Sequence, residues 1–440
     1  KQKTAYEIPK RDWSSDVCSS DLGLISMGYT INNQVALAPT TQLDAFGRLR
    51  VSQPVTQFDS QQRFGLDPAF ESNTSVSGGS ISFIATQSSA NLTVNNTNGA
   101  YAGRESSYVF KYQPGKSLLS NMTFVMAPKS AGNLRQHVGY FGQDNGFFLQ
   151  LSDDLYICQR SSISGTITHS NVAQGSWNGD KLDGSGASGY SLDITKAQIF
   201  WVDIEWLGVG DVRCGFVLDG KNITAHTFKH ANIASSAYIT TACLPVRYEI
   251  QSTGTGGPTT SNLTQICSTV ISEGGYNQPF QLFSNLASFS ATVGAATWVP
   301  VMSIQLKSNR LDAIAFIRQV EVIVTSSGDL VQWALWSNVT ATNLTNESFS
   351  SAATTSSCQI DKAATAIDVS TCYQIASQLT SAALGGQGGI PSALELVGYN
   401  AQLGRNSWTG TSEIITLAMF ANSTQSTVTA ECLLSWAELL

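Results

Sequence analysis

The sequence is short of charge. Asp, Glu, Lys and Arg supply 12% of its 440 residues, against roughly 25% in ordinary soluble proteins. The formal net charge is −7 and no cluster of Lys or Arg occurs, which argues against nucleic-acid binding. No apolar run approaches the ~18–20 residues of a membrane-spanning helix. No C-x-x-C pair is present, so the spacing of a zinc site is missing. There is no glycine loop between a strand and a helix that could cradle phosphate, and no internal repeat. From these absences we expect no cofactor, no nucleic-acid partner and no membrane partner.

The first 22 residues stand apart. KQKTAYEI followed by DWSSDVCSSDL reads as the in-frame translation of a sequencing-library adapter, with Pro9, Lys10 and Arg11 across its index. Such a segment is set aside before fold reasoning, as tags and processing segments are. It carries four basic and four acidic residues, so the net charge stays at −7 without it. The remaining 418 residues (440 − 22) are enough for two or three domains with substantial cores.

In place of charge the chain offers Gly, Ser, Thr, Asn and Gln. That composition suits short strands joined by tight turns. Strand signals recur between about residues 76 and 272. Segments 138–142, 147–151 and 155–160 read as a meander, with Asn145-Gly146 favouring a turn of positive φ. Segments 198–207, 212–218 and 223–228 follow the same logic. Residues 108–112 read as a strand before the turn Gln113-Pro114-Gly115-Lys116. The expected fold is all-β, a concanavalin-like sandwich over 76–272 followed by a second β-rich, sandwich-like domain over 273–440. Residues 23–75 read as an extended N-terminal arm. In the second domain 371–383 is the best helix candidate, and 413–420 with 427–436 reads as a closing hairpin.

Several residues invite a functional reading. Asp203 and Glu205 stand two apart in FWVDIEW, so a strand puts both on one face. A sandwich-fold glycosidase of the E-x-D-x-E type would need a third carboxylate, and Trp201 occupies that place. No catalytic residue is therefore assigned. Trp177 next to Asp180 and Asp183, in WNGDKLDG, offers an aromatic face and carboxylates to a glycan. The same loop reads equally as a Ca²⁺ site of hard oxygen ligands or as a turn held by Asx hydrogen bonds. His137, His169, His226 and His230 read as core or surface histidines. Beyond Cys18, seven cysteines remain, most of them in apolar stretches where a free thiol packs as a small hydrophobe; Cys358 and Cys372 are the pair that could bridge. The N-x-S/T sequons follow from composition. The arm carries Phe46, Phe58 and Phe64 with Arg48, Arg50 and Arg63. Aromatic and Arg side chains concentrate at interface hot spots, so Phe46, Arg48, Arg50, Phe58 and Phe64 are expected assembly contacts.

Two stretches carry a resemblance. LDAFGRLRVS at 43–52, with Phe58-Asp59 after it, is similar to the opening of structural proteins from marine tailed phages, cyanophages among them. YQPGKS at 112–117, VGYF at 138–141, NGFF at 145–148, DKLDG at 180–184, WLGVG at 206–210 and LPVRYEI at 244–250 resemble the same proteins in the same order. The resemblance covers about residues 43–276. It implies a virion component, folded in the host bacterial cytoplasm and acting through contacts with other virion proteins or copies of itself. A receptor-recognition protein binding a host-surface glycan is the alternative, and a glycan-cleaving enzyme the less favoured one.

Overall fold

The computed structural model describes residues 53–130, 133–274, 281–292, 297–325, 330–381, 392–395, 401–421 and 427–439, with two short paired strands at Thr30–Ile31 and Gln34–Val35. The chain is all-β, and its strands build two sandwiches. The first is concanavalin-like, with two large antiparallel sheets face to face. Its front sheet runs, in spatial order, Thr168–Ala173, Leu155–Ser161, Gly146–Leu151, Leu134–Phe141, Val246–Ser252, Tyr101–Ser106 and Phe70–Thr74. Its back sheet runs Lys221–Phe228, Val212–Leu218, Gln198–Ile204, Leu118–Val125, Thr260–Glu273, Ser89–Asn95 and Gly79–Ile84.

Period-2 alternation explains the layering. Val138, Tyr140, Phe147, Leu149, Tyr248 and Ile250 point inward from the front sheet. They meet Met122, Phe124, Phe200, Val202, Cys214 and Phe216 from the back sheet in one buried core. The second sandwich packs Gln281–Thr292, Thr427–Leu439, Ile314–Val324 and Ser392–Glu395 against a six-stranded sheet containing Val299–Leu306, Ile414–Ala421 and Leu330–Val339. Its separate core is centred on Ile304, Trp333, Leu417 and Trp436. No helix among the described residues is long and apolar enough to cross a membrane.

The arm ends earlier than expected. Pro54–Gln61 is a strand paired with Thr260–Glu273, and Phe70–Thr74 closes the front sheet against Tyr101–Ser106. Pro54 is tolerated because it is the first residue of its strand, where a missing N–H does least harm. Phe58 accordingly lies in the core, its ring 4.9 Å from Phe110 and 5.7 Å from Phe70. It is not an assembly contact. Phe64 is 89% exposed, with the Arg63 guanidinium over its ring. Phe46, Arg48, Arg50 and residues 1–22 lie outside the described residues.

Three further expectations are corrected. Residues 108–112 form a buried irregular segment tied by Phe110 N–H to the Leu244 carbonyl, and the strand is Tyr101–Ser106. The helix expected at 371–383 is the edge strand Tyr373–Ser381, paired with Leu330–Val339; pairing along a long neighbouring strand outweighs weak local propensity. Ile414–Ala421 and Thr427–Leu439 are both strands but belong to different sheets, so they close the two layers and not one hairpin. All seven cysteines of the described residues are free thiols, Cys358 and Cys372 included.

Candidate functional site

Alternation that sends one side of the front sheet into the core sends the other side outward. On Leu134–Phe141 the outward residues include His137 and Phe141. On Val246–Ser252 they are Arg247, Glu249 and Gln251. Register places His137 opposite both Glu249 and Gln150, Arg247 opposite Glu105, and Arg160 opposite His169. The outward face therefore bears a continuous polar band beside a small aromatic cluster of Phe141 and Phe148 with Cys158.

The second sandwich reaches over this face. Arg405–Asn406 and Thr411–Ser412 pair as a short hairpin carrying Trp408 in its loop. Arg405 donates from Nη1 to Glu105 Oε1 at 2.5 Å, and Asn406 Nδ2 donates to Glu71 Oε2 at 3.2 Å. Gln143 Nε2 donates to the Ser407 carbonyl at 2.6 Å. Trp408 Nε1 donates to Tyr101 Oη at 3.1 Å, and the Arg247 guanidinium sits 4.8 Å from the Trp408 ring centroid. Gly103 makes this approach possible: a Cβ there would lie 2.3 Å from Tyr101 Oη and 3.1 Å from Trp408.

Between sheet and hairpin lies an open cleft of about 400 Å³, lined by Tyr101, Arg160, His169, Arg247, Glu249 and Trp408 among others. Its floor is an interlocked network. Tyr101 Oη donates to Glu249 Oε2 at 3.0 Å. Arg247 spans Glu249 at 3.0 Å and Glu105 at 3.2 Å. His137 Nδ1 meets Glu249 Oε1 at 2.5 Å while its Nε2 meets Gln150 Oε1 at 2.9 Å. Burial alone would raise the Glu249 pKa; the Arg247 charge, the His137 hydrogen bond and Arg160 overcome it and hold the carboxyl well below the usual range. Glu249 is therefore a fixed anion that accepts hydrogen bonds and does not give up a proton. Burial also lowers the pKa of His169, reinforced by Arg160, His137 and Arg135.

The residues expected from sequence fall elsewhere. Trp177 is 2% exposed, its Nε1 donating to the Val172 carbonyl at 3.0 Å and its ring stacked on Phe216. It is a core residue and no glycan contact. Asp180 is buried and accepts the N–H groups of Leu182 at 2.9 Å and Ser188 at 2.6 Å, and Gly186 closes on its carboxylate. Asp183 is exposed and accepts from Ser185 N at 2.8 Å. The loop is thus a turn held by side-chain hydrogen bonds, and neither aspartate lines the cleft. Among the described residues no group of three or more His, Cys, Asp or Glu could hold a metal.

Asp203 lies on the outer face of the back sheet, across the core from the cleft, and Glu205 follows the end of that strand at Ile204. Both are fully buried, and Asp203 is paired with Arg213 on the next strand and accepts from Ser117 Oγ. A polysaccharide has no path to them. The cleft residues escaped sequence reasoning, although one signal was there. In VRYEI at 246–250, Arg and Glu alternate with apolar residues, which marks a charged pair on the outer face of a core strand.

No family model matches this sequence, and no curated protein matches it. Solved structures resemble the fold at very low identity. The lectin-like defence protein arcelin-5 from Phaseolus vulgaris is 9% identical, with a TM-score of 0.30 over 50% of this chain and 99% of its own. The Bacillus licheniformis β-glucanase is 10% identical, with a TM-score of 0.32 over 48% and 96%. The CBM2 module of the evolved Dit of Lactobacillus casei BL23 phage J-1 is 8% identical, with a TM-score of 0.34 over 51% and 99%.

Proposed function

We propose that the chain is a non-enzymatic structural component of a tailed-phage particle whose front-sheet cleft recognises a host-surface saccharide. The resemblance of residues 43–276 to phage structural proteins supports the particle. The cleft supports the saccharide, and one observation carries it: a half-buried Trp408 held by Tyr101 and Arg247 over a network of fixed donors and acceptors. Sugar rings present C–H faces that pack on an aromatic ring and hydroxyls that need placed hydrogen-bonding partners. Binding sites commonly combine such a ring with a few convergent polar groups. The non-enzymatic part rests on the state of the carboxylates. A glycosidase needs one carboxyl kept protonated beside a second that is ionised; the front cleft is lined by one carboxylate among the described residues, Glu249, which is held as an anion, and Asp203 and Glu205 are sealed from solvent.

The test is a glycan array with the full chain and a Trp408→Ala variant. We expect a restricted set of bound glycans, with affinity falling by about 10–100-fold in the variant, the range for loss of a hot-spot aromatic. An array with no bound glycan, or unchanged binding by the variant, would refute the reading. Release of reducing ends from a bound polysaccharide would overturn the non-enzymatic part.

A separate observation favours self-assembly through the second sandwich. Gln281–Thr292 is a 12-residue edge strand, QLFSNLASFSAT, with no charge and no proline. Its only strand partner among the described residues is Thr427–Leu439. Leu282 and Leu286 are 70% and 57% exposed, and one cation, Lys362, reaches the Leu286 carbonyl. Proteins usually guard long edges with charge, proline or bulges. Antiparallel pairing with a second copy centred on Leu286 sets Leu286 against Leu286 and Leu282 against Ser290. That register keeps Phe283, Ala287 and Phe289 on the core side in both copies. Light scattering on the full chain should report a dimer or higher assembly, and Leu286→Lys should shift it to monomer. A monomeric parent would sink this pairing.

A further inference from the structure

We propose that the saccharide held in the front cleft is acidic, with its carboxylate or sulfate seated on Arg160; this rests on the saccharide reading above. Arg160 projects outward from Leu155–Ser161 and lines the cleft beside His169. Its Nη1 donates to the carbonyls of Gly142 at 2.8 Å and Gln143 at 3.3 Å, which fixes the guanidinium plane. Phe141 and Phe148 pack beneath it, their ring centroids 5.2 and 5.1 Å from its central carbon. Among the described residues no carboxylate forms an ion pair with it, and its buried Nε has no hydrogen-bond partner. The guanidinium is thus positioned and partly desolvated, with Glu249 acting on it through space and no carboxylate in direct contact among the described residues.

The neighbouring carboxylates make their direct contacts elsewhere. Glu249 is already shared by Arg247, His137 and Tyr101, and Glu105 by Arg247 and Arg405. Two arginines and one glutamate line the cleft, leaving one positive charge in excess with His169 neutral (two minus one). Burial lowers the proton affinity of His169, and the neighbouring Arg160 charge lowers it further. A cleft with a net positive charge attracts anionic ligands, and a fixed guanidinium matches the paired oxygens of a carboxylate or sulfate in a fork geometry that lysine lacks. Trp408, across the cleft, would take the ring of the same sugar.

The test is affinity electrophoresis of the full chain through gels containing polygalacturonate, chondroitin sulfate or neutral dextran. Parent, Arg160→Gln, Arg160→Lys and the remote charge control Lys129→Gln are compared, each checked for an intact thermal transition. We expect retardation by at least one acidic polymer and not by dextran. The apparent affinity should fall by tenfold or more in Arg160→Gln, less in Arg160→Lys, and stay unchanged in Lys129→Gln. The polygalacturonate and chondroitin sulfate arms tell carboxylate from sulfate. Retardation by dextran that Arg160→Gln leaves intact would overturn the acidic class while keeping the saccharide reading. An equal loss in Lys129→Gln would reduce the effect to general charge and overturn the proposal. No retardation by any polymer would overturn both. If Arg160→Gln does not fold, the comparison of Arg160→Lys with the parent decides, since lysine keeps the charge and loses the fork.

Discussion

Replacing Glu105 by alanine should cost about 3–5 kcal/mol, the range for breaking a buried ion pair by removing one partner, and should separate the unfolding of the two sandwiches. Glu105 is 1% exposed and holds two arginines, Arg247 at 3.2 Å and Arg405 at 2.5 Å, each no more than 7% exposed. Arg247 belongs to its own sheet; Arg405 belongs to the hairpin of the other sandwich. Without the carboxylate, Arg247 keeps Glu249, but Arg405 has no second ion-pair partner among the described residues. The stranded guanidinium must either stay desolvated and unpaired or leave, drawing the hairpin and Trp408 with it. The remaining ties between the units include no further ion pair among the described residues: they are hydrogen bonds, such as Arg405 N–H to the Ser107 carbonyl, Gln402 Nε2 to the Val109 carbonyl and Asn406 Nδ2 to Glu71, and the stacking of Arg247 on Trp408. Each neutral hydrogen bond is worth only about 0.5–1.5 kcal/mol net. Calorimetry should show one dominant transition in the parent and two in Glu105→Ala, the lower one displaced downward. Glu105→Gln, which keeps the acceptor shape and loses the charge, should fall between. A single transition with an unchanged midpoint in Glu105→Ala would show that the contact contributes nothing to coupling.

The strand content was legible because alternation and turn chemistry agree locally. The meander of Leu134–Phe141, Gly146–Leu151 and Leu155–Ser161 falls where the apolar alternation and the Asn145-Gly146 step place it, with Gly146 at φ +138°. What alternation cannot say is which face meets the core and which meets another unit. Asp203 sits on the outer face of its strand and Glu205 just past the strand's end, yet both side chains are sealed from solvent. Trp177 and Phe58 were judged by polar neighbours in sequence, while their rings are packed by residues far along the chain, Phe216 and Phe110. The cleft was hidden for the same reason. Tyr101, His137, Arg160, Arg247 and Trp408 come from five separate segments, and the Arg405–Glu105 contact spans 300 residues. No local pattern encodes a meeting of that kind. The edge strand Tyr373–Ser381 failed in the opposite way: few of its residues are buried, so it shows little alternation, and its conformation follows from pairing with Leu330–Val339.

Glu249→Gln should lower stability at pH 7 by about 2–4 kcal/mol, as expected for deleting one charge of a mostly buried, hydrogen-bonded network, and the deficit should shrink in acid. The Glu249 side chain is 12% exposed, and the groups facing it are Arg247, His137, Tyr101 and Arg160. Its folded pKa lies well below the unfolded value of 4.5 because Arg247 and the hydrogen bond from His137 outweigh burial. A depressed carboxyl binds its proton more tightly in the unfolded chain, so its contribution to stability is complete above pH 4.5. It is lost as pH falls from there toward the folded pKa. The glutamine has no such titration. Other carboxyls titrate over the same range in both proteins, so the difference between their denaturation curves isolates this one. Urea unfolding of parent and variant at pH 7, 5, 4 and 3 should therefore give two stability curves far apart at pH 7 and converging below pH 4.5. If the gap instead stayed constant or widened in acid, Glu249 would not be the buried anion on which the cleft's network is built.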